Sequence, residues 1–124
     1  MNKILVADDN EQNRYLVSFL LERVGFVVIQ ARNGQEAVEL VNKDSPDVVL
    51  MDIQMPVMDG FSACARVKAV FPDLPVVALT ARAMRGDKED ILAAGFDGYL
   101  DKPIDPVNFH ERVSEYLVVE SPEA

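Results

Sequence analysis

Short apolar segments alternate along the chain with segments of helical periodicity, and this alternation is the strongest constraint on the fold. The predicted strands span residues 3–8, 26–31, 47–52, 75–80 and 98–101. Continuous apolar runs of this length are typical of strands buried on both faces, as in a parallel sheet. Strict alternation of strands and helices predicts right-handed crossovers, with helices covering both faces of that sheet. The 124 residues therefore predict a single α/β domain.

The intervening segments have the apolar spacing and the end residues of amphipathic helices. The first four are predicted at residues 11–24, from 33 to a turn at 44–46, at 61–70 and at 84–94. Asn33 and Glu36 form a variant of the capping box at the start of the second helix. The fifth helix is predicted to have Asp105 as its cap and Pro106 as its first residue, with Val107 on its buried face.

Composition restricts the class of protein further. The net charge is −9, from 21 acidic and 12 basic residues, which argues against nucleic-acid binding because phosphates repel an acidic surface. The one cysteine, Cys64, excludes an internal disulfide, and its helical spacing predicts a small buried hydrophobe. No apolar run reaches the roughly 18 residues that span a bilayer, and acids interrupt the N-terminal apolar run. We therefore expect a cytoplasmic protein with no membrane partner.

Carboxylates end two of the predicted strands. Asp8 and Asp9 follow the first strand's apolar run, and Asp52 ends the third. Because the carboxyl ends of parallel strands meet at one edge, we expect these acids to lie together, with Thr80 and Lys102 beside them. Each residue alone has an ordinary explanation as a helix cap, a strand former or a solvated charge. Their joint arrival at one edge indicates a functional site.

The chemistry of these residue types indicates phosphoryl transfer. Three neighbouring carboxylates repel each other, and some would be protonated unless a cation were present. An oxygen-only ligand set without His or Cys favours Mg²⁺ over zinc, with Mn²⁺ as a substitute. Beside such a cation, a lysine and a hydroxyl could neutralise phosphoryl oxygens while a carboxylate attacks phosphorus.

With these motifs the chain resembles the receiver domains of two-component response regulators. The resemblance covers about residues 3–118, and its motifs are ILVADD at 4–9, MDIQMP at 51–56, DG at 59–60, ALTA at 78–81 and DKP at 101–103. It implies a flavodoxin-like three-layer αβα sandwich, (βα)5, with a five-stranded parallel sheet of order 2-1-3-4-5. The receiver domain is expected to span residues 1–120, followed by a short polar tail at 121–124.

The resemblance also implies a role for each acidic residue. Asp52 would accept the phosphoryl group from a phosphohistidine. Asp9 would bind Mg²⁺ directly and Asp8 mainly through water. Asp52 itself and the main-chain carbonyl of Gln54 would complete the metal ligands.

Three further residues have roles implied by the resemblance. Lys102 would contact the phosphoryl group, and Thr80 would move to hydrogen-bond it. Tyr99 stands at the aromatic switch position and would turn inward as Thr80 moves. The peptide bond between Lys102 and Pro103 matches one that is usually cis in the family.

The expected partners follow from the same resemblance. The phosphodonor would be a histidine kinase or a histidine phosphotransferase, and a downstream protein would bind the face formed by the fourth helix, fifth strand and fifth helix. Asn10, Asn13 and Arg14 resemble receivers of hybrid histidine kinases and single-domain cell-division regulators. A free-standing regulator is our first reading, and a receiver excised from a hybrid kinase or multidomain regulator is the alternative.

One exposed feature has two readings. Tyr15 and Phe19 lie four residues apart on the first helix but off its apolar stripe. They are either scattered exposed aromatics or a docking patch for the phosphodonor, because the first helix of receivers flanks the active site.

Competing functions fit less well. A phosphatase of the haloacid-dehalogenase type needs a second Asp two residues after its nucleophile, where this chain has Gln54. A flavodoxin-like cofactor binder needs a loop rich in Ser, Thr and Gly after the first strand, and the acidic pair Asp8 and Asp9 stands there instead. A degenerate receiver is disfavoured by the complete set of site residues. The chain is expected to be a signalling switch and not an enzyme that turns over a free substrate.

Overall fold

The computed structural model describes residues 2–81 and 85–117, without the side chains of 85–87. The strands are β1 Lys3–Ala7, β2 Val27–Ala31, β3 Val48–Asp52, β4 Val76–Thr80 and β5 Gly98–Asp101. The helices are α1 Glu11–Glu22, α2 Gly34–Asp44, α3 Gly60–Val70, α4 Arg85–Ala93 and α5 Phe109–Ser114. The predicted start of the fourth helix at residue 84 and the predicted tail at 121–124 lie outside the described residues.

All strand pairs are parallel, and the order β2-β1-β3-β4-β5 confirms the α/β fold with the implied topology. The central strands β3 and β4 are buried along their whole length, which explains their uninterrupted apolar runs. None of the helices in the described ranges combines the length and the apolarity needed to cross a bilayer.

Two apolar layers cover the sheet because successive side chains of a strand point to opposite faces. On one face, Ile4 and Val6 of β1 pack with residues of α1 and α5. On the other face, Leu5 and Ala7 pack with residues of α2, α3 and α4. Cys64 belongs to the second layer and is fully buried, as predicted. Burial raises the pKa of its thiol to about 11.

Asparagine and aspartate side chains begin the first three helices. The Asn33 side chain accepts a hydrogen bond from the Glu36 main-chain N–H at 2.9 Å, which confirms the predicted helix start. The second hydrogen bond expected for a capping box, from the main-chain N–H of the cap residue to the Glu36 carboxylate, is wrong. The Glu36 carboxylate accepts from the main-chain N–H of Arg32 at 2.8 Å, one residue before the cap, and pairs with the Arg32 guanidinium.

The start of the fifth helix differs from the sequence prediction. The helix begins at Phe109, and the Asp105 carboxylate instead accepts from the Val107 main-chain N–H at 3.0 Å. This contact closes a turn before the helix. The backbone at Asn108 is not helical, so the turn is separate from α5. Val107 is therefore 83% exposed and not on the buried face.

The loop between β3 and α3 contains a strained residue. Val57 has φ +69°, a left-handed conformation that a β-branched residue rarely adopts, and is 81% exposed. A hydrogen bond of 2.7 Å from the Met58 main-chain N–H to the Pro56 carbonyl closes a three-residue turn around it. The Met58 carbonyl in turn accepts from Gly34 at the start of α2, at 3.0 Å. The loop is thus anchored to α2 directly after the strained residue.

We expect Val57→Asn to raise the free energy of unfolding by about 1 kcal/mol, because asparagine tolerates positive φ better. Urea denaturation of both proteins measures the difference. Val107→Asn is the matched control, since Val107 is as exposed (83%) and has no positive φ. An equal gain in both variants, or no gain at Val57, would contradict the assignment of strain.

Candidate functional site

A cavity of about 530 Å³ opens at the carboxyl edge of the sheet. It lies where the chain order reverses between β1 and β3, the usual place for ligands in open α/β sheets. Its lining includes all but one of the predicted site residues, namely Asp8, Asp9, Asp52, Gln54, Thr80 and Lys102. Tyr99 is not part of the lining.

The first two acids occupy different environments in the loop that follows β1. Asp8 is 1% exposed, and its main-chain N–H continues the β1–β2 ladder by donating to the Ala31 carbonyl at 3.1 Å. The next residue, Asp9, is exposed. Asn10 caps α1 with its side chain, and its main-chain N–H donates to Asp8 Oδ1 at 2.9 Å. The helix start therefore also fixes the orientation of the buried carboxylate.

Asp52 is held at the end of β3 by a close approach of α3. The Gly60 main-chain N–H donates to the Ile53 carbonyl at 2.8 Å. A Cβ atom at Gly60 would collide with the Asp52 main-chain carbonyl, so only glycine allows α3 to begin this near the strand. This contact explains the glycine of the Asp-Gly motif, and the Asp59 side chain caps α3 by accepting from the Ser62 main-chain N–H at 2.8 Å.

Lys102 joins the two buried carboxylates. Its ammonium lies 2.9 Å from Asp8 Oδ2 and 3.4 Å from Asp52 Oδ2. The Lys102 main-chain N–H donates to the Thr80 carbonyl at 2.8 Å, which places the lysine beside the end of β4. The bond between Lys102 and Pro103 is cis, as the family resemblance implied.

The acidic cluster has the donor set of a hard divalent cation. Carboxylate oxygens of Asp8, Asp9 and Asp52 lie within 4.8 Å of one another. One ammonium faces three carboxylates, so the cluster keeps negative charge when all three are ionised. Oxygen ligands and uncompensated negative charge are what Mg²⁺ prefers. The residues therefore fit a magnesium site.

The Asp52 carboxyl has a raised pKa. Burial is the largest cause, because it disfavours the ionised form, and the negative charge of Asp8 adds to it. The Lys102 ammonium and the Gln54 main-chain N–H act in the opposite direction. Burial has the larger effect. In the absence of a cation, the neutral form of Asp52 is therefore more favoured in the site than it is in water.

Thr80 ends β4, and Tyr99 lies on the neighbouring strand β5, two residues before the position that pairs with Thr80. The Thr80 side chain is buried at the end of β4. Tyr99 is half-buried on β5 and packs against the apolar layer of Leu5 and Ala7. The Lys88 ammonium of α4 lies 5.4 Å from the centroid of its ring.

Sequence reasoning missed several residues that line the cavity, namely Asn10, Asn13, Phe61, Asp90 and Ile91. A signal for Asn10 existed, since an asparagine directly before an amphipathic segment is typical of a helix cap. Phe61 and Ile91 belong to the apolar layer on which α3 and α4 pack. Their position beside the cavity depends on how α3 and α4 pack on the sheet.

The sequence model of the response regulator receiver domain matches residues 4–114. The chain belongs to this family. It is thus a receiver domain of two-component signalling systems, which confirms the function indicated by the motifs.

Similar proteins carry the receiver domain in different settings. The polar-differentiation response regulator DivK of Brucella anthropi is 39% identical over 116 residues, covering 92% of this chain and 94% of DivK. The structure of the chemotaxis protein CheY4 of Vibrio cholerae has a TM-score of 0.88 at 32% identity, covering 94% of this chain and 99% of that one.

A third relative is the receiver domain of a sensor histidine kinase from Pseudomonas aeruginosa. It has a TM-score of 0.85 at 32% identity, and the match covers 93% of this chain and 96% of that one. That structure is described with a magnesium ion coordinated in its active-site cleft.

We expect Asp52→Asn to stabilise the metal-free receiver at neutral pH. A carboxyl with a raised folded pKa contributes stability below its unfolded pKa and loses that contribution as pH rises through its folded pKa. The neutral amide does not titrate, so the advantage of the variant should shrink as the pH falls toward the ordinary pKa of 3.8.

Urea denaturation in EDTA across this pH range measures the effect. Asp73→Asn, at an exposed position in the loop between α3 and β4, is the control and should change stability by less than about 0.5 kcal/mol. A destabilised Asp52→Asn at pH 7 would mean that the attraction of Lys102 outweighs burial.

Proposed function

We propose that residues 1–120 act as a Mg²⁺-dependent phosphoryl acceptor, in which Asp52 takes a phosphoryl group from a phosphohistidine. The donor is a histidine kinase or a histidine phosphotransferase. The observation that carries this proposal is the Lys102 ammonium between Asp8 and Asp52, with Asp9 beside them. This arrangement supplies a nucleophile, a cation and a metal ligand set at one edge of the sheet.

A bound Mg²⁺, or Mn²⁺ in its place, would supply charge neutralisation for the phosphoryl oxygens. Asp8, Asp9, Asp52 and the main-chain carbonyl of Gln54 are the residues that would hold it. The described geometry supports this set because three of the four offer carboxylate oxygens within 4.8 Å of one another. The magnesium-containing receiver of Pseudomonas aeruginosa supports it by similarity.

The transfer itself is a displacement at phosphorus. The Asp52 carboxylate forms a P–O bond as the P–N bond to the donor imidazole breaks, and that ring, protonated on its other nitrogen, leaves neutral. Lys102 is already within 3.4 Å of Asp52 and can donate to an oxygen of the new acyl phosphate. The Thr80 hydroxyl, at the end of the adjacent strand, donates to another.

Phosphorylation would change the output face through these two donors. As Thr80 moves toward the phosphoryl group, Tyr99 turns into the space beside β4, and a downstream protein reads the surface of α4, β5 and α5. The Lys88 ammonium over the Tyr99 ring supports this link, because rotation of the ring would alter a contact with α4.

The chain modifies itself and does not turn over a free substrate, since Asp52 is both nucleophile and product. We place it in the cytoplasm. Similarity over 94% of DivK favours the first reading, a free-standing regulator. The alternative, a receiver that forms part of a hybrid kinase or multidomain regulator, is supported by similarity to the kinase receiver of Pseudomonas aeruginosa.

The acceptor assignment is tested with acetyl phosphate as the donor. We expect the wild type to gain one phosphoryl group by intact-mass spectrometry when Mg²⁺ is present, and none in EDTA. Asp52→Asn should not be modified, because the nucleophile is gone. Asp101→Asn, which removes an exposed acid at the same sheet edge, should be modified like the wild type. Modification that survives Asp52→Asn or EDTA would overturn the assignment.

The docking side for the phosphodonor is proposed to include an aromatic row on α1. The Tyr15 and Phe19 rings are stacked with centroids 6.3 Å apart and are 69% and 49% exposed. The Arg23 guanidinium lies 5.7 Å from the Phe19 ring centroid and extends the row. The row begins two residues after Asn13, which lines the cavity, so a bound partner could contact the row and reach Asp52 together.

We expect Tyr15→Ala combined with Phe19→Ala to slow transfer from a phosphorylated histidine phosphotransferase domain by about 10-fold or more, the loss of a pair of aromatic contacts. Acetyl phosphate should modify the double variant at the wild-type rate, because the site itself is intact. Leu92→Ala removes a similarly exposed apolar residue from α4 and is the control. Unchanged transfer from the protein donor would exclude the row from docking.

A further inference from the structure

Asp8 is held by three hydrogen bonds, two to its side chain and one to its main chain. Its Oδ1 accepts from the Asn10 main-chain N–H and its Oδ2 from the Lys102 ammonium, both at 2.9 Å. Its main-chain carbonyl accepts from Nη1 of Arg14 at 2.8 Å. The residue is 1% exposed, so these three donors replace water around the most buried acid of the site.

Arg14 connects three elements around this residue. It lies in the first turns of α1, is half-buried, and reaches back to the end of β1. Its Nε also donates to Gln30 Oε1 on the neighbouring strand β2, at 3.3 Å. A guanidinium can serve two acceptors at once in a fixed geometry, whereas a lysine at this position would have one ammonium to share.

The contact lies outside the reacting centre. Arg14 is absent from the lining of the cavity, and its two hydrogen-bond acceptors are a main-chain carbonyl and a side-chain amide. It therefore lies outside the cavity, and its described contact with the acidic site is the hydrogen bond to the Asp8 main-chain carbonyl. Because Asp9 is the next residue, the same contact fixes the main chain that carries both the Asp8 and the Asp9 side chains.

We propose that Arg14 is a positioning residue of the acidic site: by holding the Asp8 carbonyl against β2, it orients the Asp8 and Asp9 carboxylates toward a divalent cation. This inference rests on the proposed Mg²⁺-dependent function. Residues that orient metal ligands typically change metal affinity by about 10-fold to 100-fold when they are removed.

Calorimetric titration of MgCl₂ into the folded full chain tests the proposal. We expect Arg14→Ala to raise the Kd for Mg²⁺ by about 10-fold. Arg66→Ala removes the same charge from an exposed position of α3, outside the lining of the cavity, and should leave the Kd unchanged. A purely structural role would lower the urea midpoint of Arg14→Ala without moving the Kd of the folded protein, and that result would overturn the proposal.

Two milder variants test the positioning role of Arg14 if Arg14→Ala does not fold. Arg14→Lys keeps the charge but loses the double contact, and Gln30→Ala removes the second anchor of the guanidinium. Both should raise the Kd for Mg²⁺ by a smaller factor than expected for Arg14→Ala, and wild-type affinity in both would overturn the proposal.

The wild-type chain separates this inference from the proposed function. If it neither binds Mg²⁺ nor is phosphorylated at Asp52 by acetyl phosphate, the proposed function fails and the inference fails with it. If it does both while the Arg14 variants keep its Kd, only the inference fails.

Discussion

The carboxylates at one edge of the parallel sheet set the main electrostatic constraint of this receiver. Parallel strands bring the ends of β1 and β3 together, so Asp8 and Asp52 are buried side by side and repel each other. The Lys102 ammonium, within 3.4 Å of both, offsets part of that repulsion. The Lys102 backbone pairs with the end of β4, and its side chain reaches the ends of β1 and β3, which ties the end of the last strand to the first.

The strands could be predicted from the sequence because burial on both faces leaves few polar residues in them. The fifth helix could not, because Asp105 followed by Pro106 is compatible with a turn as well as with a helix start. The backbone selects the turn, and Phe109 and Val113 still reach the apolar layer. Prediction failed where two local structures share the same residue signals.

The same limit applies to the site. The acids, the threonine and the lysine could be placed from strand ends alone, since topology brings them to one edge. The contacts that hold them could not: the closeness of Gly60 to Asp52 and of Arg14 to the Asp8 carbonyl depends on how helices dock on the sheet. Residues that act through another residue's backbone leave no pattern in a single sequence.

The unequal exposure of the two adjacent acids has a kinetic consequence. Asp8 is enclosed by three hydrogen-bond donors, whereas Asp9 faces solvent at the mouth of the cavity. A divalent cation arriving from solvent would meet the Asp9 carboxylate first, and the oxygens of Asp8 and Asp52 lie within 4.8 Å of it. Binding and release of the cation would then require no opening of the core, so the occupancy of the site could change much faster than the protein unfolds.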